Sequence, residues 1–210
     1  MSITIDVLPQ ESYLANCYAI LSDNAAVLID PGAYSDSAFD FLQENLQRER
    51  LILLTHAHFD HIGGAEKLRE KTGVKIAIGE YDAPALVNSS LNLSANFGIA
   101  LKDFCADITL NDNEIFTVGD LEFKAIHTPG HTQGSMCYLL EDNLFSGDTL
   151  FCRTYGRTDF PSGDENKLIA SVKRLFTELK DETVVYPGHN RATTIGFEKQ
   201  KNILVLRHKI

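Results

Sequence analysis

The sequence predicts an α/β protein built as a four-layer αββα sandwich, with two sheets packed together and helices on both outer faces. Apolar runs of strand length occur in two blocks, and a segment with helical spacing follows each block. No linker rich in Pro, Gly or Ser separates the blocks. We therefore expect one domain over residues 1–210, long enough to bury a core without a disulfide or a structural metal.

Composition argues against several classes of function. Lys and Arg number 19 against 29 Asp and Glu, giving a formal charge of -10, and no basic run is present, so nucleic acid is not an expected partner. The N-terminus lacks a signal-peptide pattern, and no apolar stretch approaches the roughly 18 residues of a membrane span. The four cysteines form no CxxC pair and are read as reduced thiols. We expect a cytoplasmic protein without a membrane partner, and the oligomeric state is left open.

The first block begins with a meander and then changes to helical spacing. Short apolar runs predict strands at 3–8, 17–22, 26–30 and 51–54. Between the last two, Phe39, Leu42 and Leu46 lie three and four apart, which predicts a helix over 37–49. Each of these elements is short, as expected for a layered fold.

Three further segments complete the first block. A helix is predicted over 65–73, ending at Gly73, and a strand over 74–79. The stretch 84–104 is irregular and carries few charges. We expect it to fold over a cleft, with its part 88–98 shaping a substrate entrance.

The second block repeats the pattern of strands followed by a helix. Hairpins are predicted over 114–128 and 135–148, from their turn residues and flanking apolar runs. Leu168, Val172, Leu175, Phe176 and Leu179 share one face of a predicted helix over 164–180. A closing strand is expected at 183–189 and a short tail at 197–210.

The segment "LLTHAHFDHIGG", residues 53–64, concentrates ligand-type side chains at the end of an apolar strand. His56 and His58 are two apart, so on an extended segment both imidazoles point the same way and can reach one ion, at about 2.0 to 2.1 Å for zinc. A turn would direct Asp60 and His61 toward a second ion. One peptide could thus supply two metal sites.

Three more candidates follow apolar strands, where α/β proteins place their ligands. They are His131, Asp148 and His189, each preceded by a glycine. Gly63 and Gly64, which follow the cluster, are expected to bend the backbone sharply and start the next helix close to the site. We predict that His56, His58 and His131 form one site, that Asp60, His61 and His189 form another, and that Asp148 bridges them.

Simpler explanations exist for isolated candidates. A lone histidine near a turn is more often solvated or hydrogen-bonded than a ligand, and a structural zinc site is usually closed by four ligands with cysteine predominating. The crowded segment 56–61 has no such explanation. His127 and His208 lack the strand and glycine context and are excluded, and Asp30 is interpreted as a turn residue or a support for a ligand.

The motifs "THAHFDH", "TPGHTQGS", "SGDTLF" and "YPGH", with "DPG" before them, resemble the metallo-β-lactamase fold and, within it, short single-domain hydroxyacylglutathione hydrolases (glyoxalase II). The resemblance implies the αββα fold and a dinuclear site. The carboxylate of Asp148 distinguishes the chain from true β-lactamases. Only 21 residues follow His189, too few for the helical domain that supplies much of the glutathione site in glyoxalase II, so the thiol carrier stays open.

The expected reaction is hydrolysis of a small-molecule thioester. Two divalent ions about 3.5 to 4 Å apart acidify a water between them, and the resulting hydroxide attacks the thioester carbonyl. Zinc is the expected metal, with Fe²⁺ or Mn²⁺ as alternatives. Asp60 is assigned a catalytic role in orienting the hydroxide, whereas Cys152 is not expected to act as a nucleophile.

Other activities predict different features. One Fe²⁺ held by His56, His131 and Asp148 would suit a persulfide dioxygenase on the same fold, which is the main alternative. A non-catalytic binding module predicts a damaged ligand set, and a nuclease predicts a basic surface. The loop 155–164 resembles that of both enzyme classes, and Arg157 with Asp159 in it is interpreted as a local ion pair.

Overall fold

A computed structural model describes residues 2–208 and contains two six-stranded sheets packed face to face. The first sheet has the order β1-β2-β3-β4-β5-β6, formed by β1 (Thr4–Leu8), β2 (Cys17–Leu21), β3 (Ala25–Ile29), β4 (Glu49–Leu54), β5 (Lys75–Gly79) and β6 (Ile108–Leu110). The first three strands are antiparallel, and β3 to β6 are parallel to one another. The carboxyl ends of these parallel strands therefore share one edge of the sheet.

The second sheet is mostly antiparallel and has the order β14-β13-β10-β9-β8-β7. The strands from β7 onward are β7 (Ile115–Val118), β8 (Leu121–His127), β9 (Met136–Leu140), β10 (Asn143–Gly147), β11 (Leu150–Phe151), β12 (Thr154–Tyr155), β13 (Val184–Pro187) and β14 (Thr193–Thr194). Both predicted hairpins are present, and β11 pairs with β12 in a small separate ribbon. Strands β10 and β13 are parallel, so their carboxyl ends also point the same way.

Helices cover the outer face of each sheet. The helices are α1 (Asp36–Glu44), α2 (Phe59–Ile62), α3 (Ala65–Thr72), α4 (Ser94–Phe97), α5 (Glu165–Glu178), α6 (Ile195–Lys201) and α7 (Ile203–His208), with a 3₁₀ turn at Ala83–Val87. Apolar residues of α1 and α3 pack on the first sheet, and those of α5, α6 and α7 pack on the second. A third cluster, including Phe123, Tyr138 and Phe145, lies between the sheets. The predicted αββα order of layers is confirmed.

Two tyrosine hydroxyls join the sheets across this central layer. Tyr138 on β9 donates to the Leu54 carbonyl at 2.7 Å, and Tyr18 on β2 donates to the Pro187 carbonyl at 2.6 Å. Both acceptors are the last residues of their strands. A buried hydroxyl needs such a partner, and the bonds fix the relative position of the strand ends.

The helix predicted over 37–49 is shorter than expected. It ends at Glu44, and β4 already starts at Glu49. The side chain of Asn45 ends it by donating to the Phe41 carbonyl at 2.7 Å and accepting from Arg48. Leu46, assigned to the apolar face, is 54% exposed. The apolar spacing in the sequence runs on past Asn45, but the side chain of Asn45 bonds to a backbone carbonyl of the helix and ends it there.

The stretch 197–210 was predicted as a short tail, which is wrong for its described part, 197–208; residues 209 and 210 lie outside the described range. Helices α6 and α7 form there, and Ile195 and Leu204 are fully buried against the second sheet. The carboxylate of Glu198, also buried, accepts from the backbone of Arg153 and the side chains of Thr193 and Asn202. Strands β6, β11 and β12 were not predicted, because two or three residues carry too little periodicity.

The role expected of Gly63 and Gly64 needs correction. Both adopt right-handed helical backbone angles, so no unusual bend requires glycine. A Cβ on Gly63 would lie 2.4 Å from the Gly32 carbonyl oxygen, and one on Gly64 would lie 2.4 Å from that of Ala33. Glycine is required because the chain after β3 passes directly against α2.

Among residues 2–208, no helix has both the length and the apolar character needed to cross a membrane.

Candidate metal centre

The loops that follow four strands bring seven ligand-type side chains to one place. His56 and His58 lie just after β4, and Asp60 and His61 lie on the single turn of α2. The other three follow β8, β10 and β13, respectively: His131, Asp148 and His189. Their ligand atoms form three overlapping groups, each within 4.8 Å, consisting of His56, His58 and His131; His56, His61 and Asp148; and Asp60, His61 and His189.

The first group is a triangle of imidazoles around His58. Its Nδ1 lies 3.1 Å from Nε2 of His56 and 2.9 Å from Nε2 of His131. All three side chains are buried. This is the set predicted for the first site.

Hydrogen bonds on the far side of two of these rings fix their orientation. The Nδ1–H of His131 donates to the Arg157 carbonyl at 2.7 Å. The Nδ1–H of His56 donates to the Thr55 hydroxyl at 3.1 Å, because that hydroxyl itself donates to Asp30 at 2.6 Å. Both Nε2 atoms are therefore left as lone-pair donors pointing into the group, as in metal-binding histidines.

The group predicted as the second site consists of Asp60, His61 and His189. Oδ2 of Asp60 lies 3.1 Å from Nε2 of His189 and 3.8 Å from Nε2 of His61. Asp30 contacts the other nitrogen of His61 at 2.8 Å and also accepts from the Thr55 backbone at 2.8 Å. Asp30 thus supports a candidate ligand from behind.

Asp148 lies between the two groups. Its Oδ1 is 3.3 Å from Nε2 of His61, whereas its Oδ2 is 3.5 Å from Nε2 of His131 and 3.8 Å from Nε2 of His189. The approach is close enough that a Cβ on Gly188 would lie 2.3 Å from Oδ1. Glycine before His189 therefore leaves room for the carboxylate.

The chemistry of these side chains fits a pair of cations. In the described chain, three buried side-chain polar atoms lack a hydrogen-bond partner, and all three belong to residues of this centre. Nε2 of His61 and Oδ1 of Asp148 face each other within it without hydrogen-bonding geometry, whereas Nε2 of His58 is the ring nitrogen other than the Nδ1 that faces His56 and His131. Buried polar atoms rarely stay unpartnered, and bound cations would satisfy the lone pairs that converge here.

The electrostatic environment agrees with this assignment. Burial lowers the pKa of His58 to about 3, reinforced by the neighbouring His131, and burial also lowers the pKa of His56 well below its ordinary value. Both rings are thus neutral at pH 7, as metal ligation requires. Burial opposes both shifts, but the pKa of His61 is raised by Asp30, Asp148 and Asp60, and the charge of His61 lowers the pKa of Asp148, which stays ionised. A cation in the second site would take the place of the His61 proton.

Asp82 is a buried carboxylate that the sequence analysis did not identify. Its Oδ2 accepts from the Ala57 backbone at 3.0 Å and the Thr132 hydroxyl at 2.8 Å, and its Oδ1 accepts from the Gly134 backbone at 2.9 Å. It therefore joins the loop of His56 and His58 to the loop of His131. The only sequence signal was its position shortly after β5.

A cavity of about 660 Å³ opens over the centre. Five of the candidate ligands line its floor: His58, Asp60, His131, Asp148 and His189. Leu93 and Phe97 line its wall, so the segment 88–98 reaches the entrance as expected. The predicted Arg157–Asp159 ion pair is confirmed at its rim, with both contacts at 2.6 Å.

The residues excluded from the site lie elsewhere. Cys152 borders a separate depression beside Arg191 and Phe197. The ring of His127 contacts the Gln133 carbonyl at 2.9 Å, and His208 is an exposed residue near the end of α7.

Comparison with known proteins identifies the family. Residues 13–189 match the metallo-beta-lactamase superfamily, which covers every candidate ligand. The chain belongs to the metallo-beta-lactamase superfamily. This fold binds divalent metals, and its members include metal-dependent hydrolases, which agrees with the His and Asp cluster described above.

Three similar proteins illustrate the range within the superfamily. Hydroxyacylglutathione hydrolase GloC of Haemophilus influenzae is 34% identical over 205 residues, covering 95% of this chain and 97% of that protein. The crystal structure of BLEG-1, a B3 metallo-beta-lactamase, has a TM-score of 0.86 at 34% identity and covers 97% of this chain and 99% of that one. The structure of TTHA1623 in a di-iron-bound form has a TM-score of 0.82 at 32% identity, covering 94% and 98%. Since equal identity accompanies two different named activities, the substrate has to be argued from the site.

Proposed function

We propose that this protein is a dinuclear metal-dependent thioester hydrolase of the hydroxyacylglutathione hydrolase type. One observation carries the proposal: the carboxylate of Asp148 approaches candidate ligands of both predicted sites. Oδ1 lies 3.3 Å from Nε2 of His61 in the second site, and Oδ2 lies 3.5 Å from Nε2 of His131 in the first site and 3.8 Å from Nε2 of His189 in the second. A carboxylate in this position suits a bridge between two ions. The similarity to GloC supports the substrate class.

The grouping of the ligand atoms supports the following ligand roles. His56, His58 and His131 would hold one ion, Asp60, His61 and His189 the other, and Asp148 both. When bound, two divalent ions lower the pKa of water and polarise a carbonyl oxygen. Zinc suits the nitrogen and carboxylate donors, and the di-iron form of TTHA1623 supports iron as an alternative.

The chain's own residues position the reactants. Asp60 lies at the cavity floor next to His189 and can accept a hydrogen bond from the attacking water, which fits the catalytic role assigned to it. The thioester would enter through the cavity that opens over the centre. Water adds its oxygen to the acyl carbon, the C–S bond breaks, and the products are a carboxylic acid and a thiol. No side-chain nucleophile is required, in keeping with the position of Cys152.

The main alternative, a mononuclear iron dioxygenase, explains less of the structure. A single ion on His56, His131 and Asp148 gives no role to the contact of Asp30 with His61 or to that of Asp60 with His189. These contacts, at 2.8 and 3.1 Å, are as short as those among the three imidazoles of the first group, at 2.9 and 3.1 Å. They favour two occupied sites and a hydrolytic role, which we place in the cytoplasm with a small-molecule substrate.

Metal analysis and three assays test the proposal. Protein purified without added metal should contain about two zinc or other divalent ions per chain and hydrolyse S-lactoylglutathione. One iron per chain with persulfide-dependent oxygen uptake would instead support the dioxygenase. Hydrolysis of a chromogenic cephalosporin without thioesterase activity would place the chain functionally with BLEG-1 and overturn the proposal.

A further inference from the structure

The cavity over the metal centre is mainly apolar and poor in positive charge. Apart from the candidate ligands, its lining within residues 2–208 contains a single cationic side chain, Arg157. Aromatic and aliphatic side chains form most of the remaining wall, including Phe59, Phe97, Ile99 and Phe160. A site that recognises carboxylates or phosphates would present several unpaired cations.

Arg157 is already engaged by its neighbours. Its Nε and Nη2 each donate to one carboxylate oxygen of Asp159 at 2.6 Å, in a two-point ion pair. Its guanidinium also lies 3.9 Å from the ring centroid of Phe160, in a cation–π contact. The arginine therefore orients the aromatic ring and has its charge compensated, which leaves little attraction for an anionic substrate group.

The aromatic side chains form a continuous wall that starts at the metal centre. The ring of Phe160 lies 5.8 Å from that of His58 and 6.5 Å from that of Phe97, and Phe97 lies 5.1 Å from Phe59. Phe97 is 55% exposed and the nearby Ile99 is 41% exposed. These side chains expose apolar surface to the cavity, and a ligand that covers it gains hydrophobic free energy.

The wall is held rigidly beside the candidate ligands. The backbone N–H of Phe59, next to Asp60, donates to the Asn92 carbonyl at 2.9 Å. The buried side chain of Asn92 in turn donates to the Ala85 carbonyl at 3.1 Å, and its oxygen accepts from Ser94 at 3.0 Å. The segment carrying Phe97 is thus tied to α2, and little ordering is needed when a ligand binds.

We propose that this wall selects thioesters whose acyl group is apolar and extended, with Phe97, Ile99 and Phe160 determining specificity. The inference rests on the proposed thioester hydrolysis and adds the chemical class of the substrate. The charge of the thiol carrier contributes little, because Arg157, the one cation that lines the wall within residues 2–208, is paired with Asp159.

Binding of thioethers, which cannot be hydrolysed, tests the proposal directly. The zinc-loaded protein is titrated calorimetrically with S-ethyl, S-butyl and S-hexyl N-acetylcysteamine. Affinity should rise by about twofold to fourfold per added methylene, the range expected for partial to full burial. Phe97→Ala and Ile99→Ala should each flatten this dependence. Ile115→Ala removes an exposed apolar side chain on β7, outside the residues that line the cavity, and should leave the dependence on alkyl length unchanged.

A second series uses the same alkyl groups on glutathione, which adds two carboxylates. Its affinities should stay within about threefold of the neutral series, less than the tenfold that corresponds to 1.4 kcal/mol. Affinity that is independent of alkyl length, or glutathione conjugates that bind more than about tenfold tighter, would overturn the inference.

These outcomes are separate from failure of the proposed function. Thioether binding needs no turnover, so a protein that shows the length dependence but hydrolyses no thioester contradicts the reaction only. A protein that hydrolyses thioesters but shows a flat series contradicts the wall only. Circular dichroism checks folding of the variants, and the wild-type series decides the matter even where a variant does not fold.

Discussion

Asp82 shows how one buried carboxylate can join two loops of a candidate metal centre. Two backbone N–H groups and one hydroxyl, from the two loops that carry His56, His58 and His131, donate to it. Burial raises its pKa, and these three donors oppose that effect. The carboxylate therefore costs desolvation free energy that its hydrogen bonds offset. We infer that it keeps His131 in register with His56 and His58.

The first prediction concerns Asp82→Asn. Both oxygens of Asp82 accept hydrogen bonds, whereas the amide nitrogen of asparagine is a donor and would face another donor. We therefore expect a loss of about 1–3 kcal/mol in unfolding free energy. Zinc affinity should also fall by roughly 10- to 100-fold, as for changes behind metal ligands. Urea unfolding of the metal-free protein and competition with a chromogenic chelator measure the two effects.

Glu198→Gln provides the matched control. Glu198 is equally buried and accepts from three donors, but it anchors α6 rather than the metal centre. The Glu198→Gln protein should lose about as much unfolding free energy as Asp82→Asn and should retain the zinc affinity of the wild type. Equal losses of affinity in both variants would mean that Asp82 acts only through general stability.

The second prediction concerns Asp148→Ala. Removing the carboxylate that faces both groups should reduce bound metal from two ions to one or fewer, and should lower thioesterase activity by roughly 10³-fold. Metal analysis and steady-state kinetics measure these effects. Asp142→Ala, an exposed aspartate in the turn between β9 and β10, should behave as wild type. A fully active Asp148→Ala protein with two metals would refute the bridge.

At the scale of elements, α5 stabilises the loop that carries His131. The Asp164 side chain caps this helix by accepting from the Lys167 backbone at 3.1 Å. The backbone N–H of Asp164 donates to the Gly130 carbonyl at 2.8 Å. A Cβ on Gly130 would lie 2.3 Å from the Leu168 nitrogen. The start of the helix therefore packs directly on the residue before a candidate ligand.

The third prediction separates these two contacts. Asp164→Ala loses the cap and keeps the backbone bond to Gly130, so unfolding free energy should fall by about 1 kcal/mol with zinc affinity unchanged. Asp164→Asn retains a capping oxygen and should stay within about 0.5 kcal/mol of wild type. Urea unfolding compares the three proteins. Equal stability of the alanine and asparagine variants would show that the cap contributes nothing.

Elements differed in how well the sequence predicted them. The hairpin of β7 and β8 and the helix α5 were placed within a few residues, because several apolar positions repeat along each. Helix α1 ended early, since Asn45 competes for its last carbonyls. The C-terminal helices were missed because the burial of their residues against the second sheet, and the bond of the buried Glu198 to Arg153 45 residues away, leave no local pattern in the sequence.

At the scale of the whole molecule, the metal centre joins the two sheets. The first sheet supplies His56 through β4, and the second supplies His131, Asp148 and His189 through β8, β10 and β13. Because the centre is complete only when the sheets are packed, we propose that residues 1–210 fold as one domain. A single cooperative transition in urea, by fluorescence and circular dichroism alike, is the expected result.

The fourth prediction concerns the tyrosine bonds between the sheets. Tyr138→Phe removes a buried hydroxyl and leaves the Leu54 carbonyl, two residues before His56, without that donor. We expect a loss of about 1–2 kcal/mol in unfolding free energy. Tyr81→Phe, at a side chain that is 52% exposed, should remain within about 0.5 kcal/mol of wild type. An unchanged Tyr138→Phe protein would show that packing alone aligns the sheets.

The order of the layers and the seven candidate ligands could be predicted from the amino-acid sequence alone. Strand and helix periodicities are local, and a cluster such as His56 to His61 at a strand end is visible without coordinates. Only the tertiary structure decided which nitrogen of each imidazole faces the centre, that Asp82 joins two loops, and that Phe97 and Phe160 form one apolar wall. These features depend on contacts between residues far apart in the chain, and such contacts exist only once the two sheets have packed together.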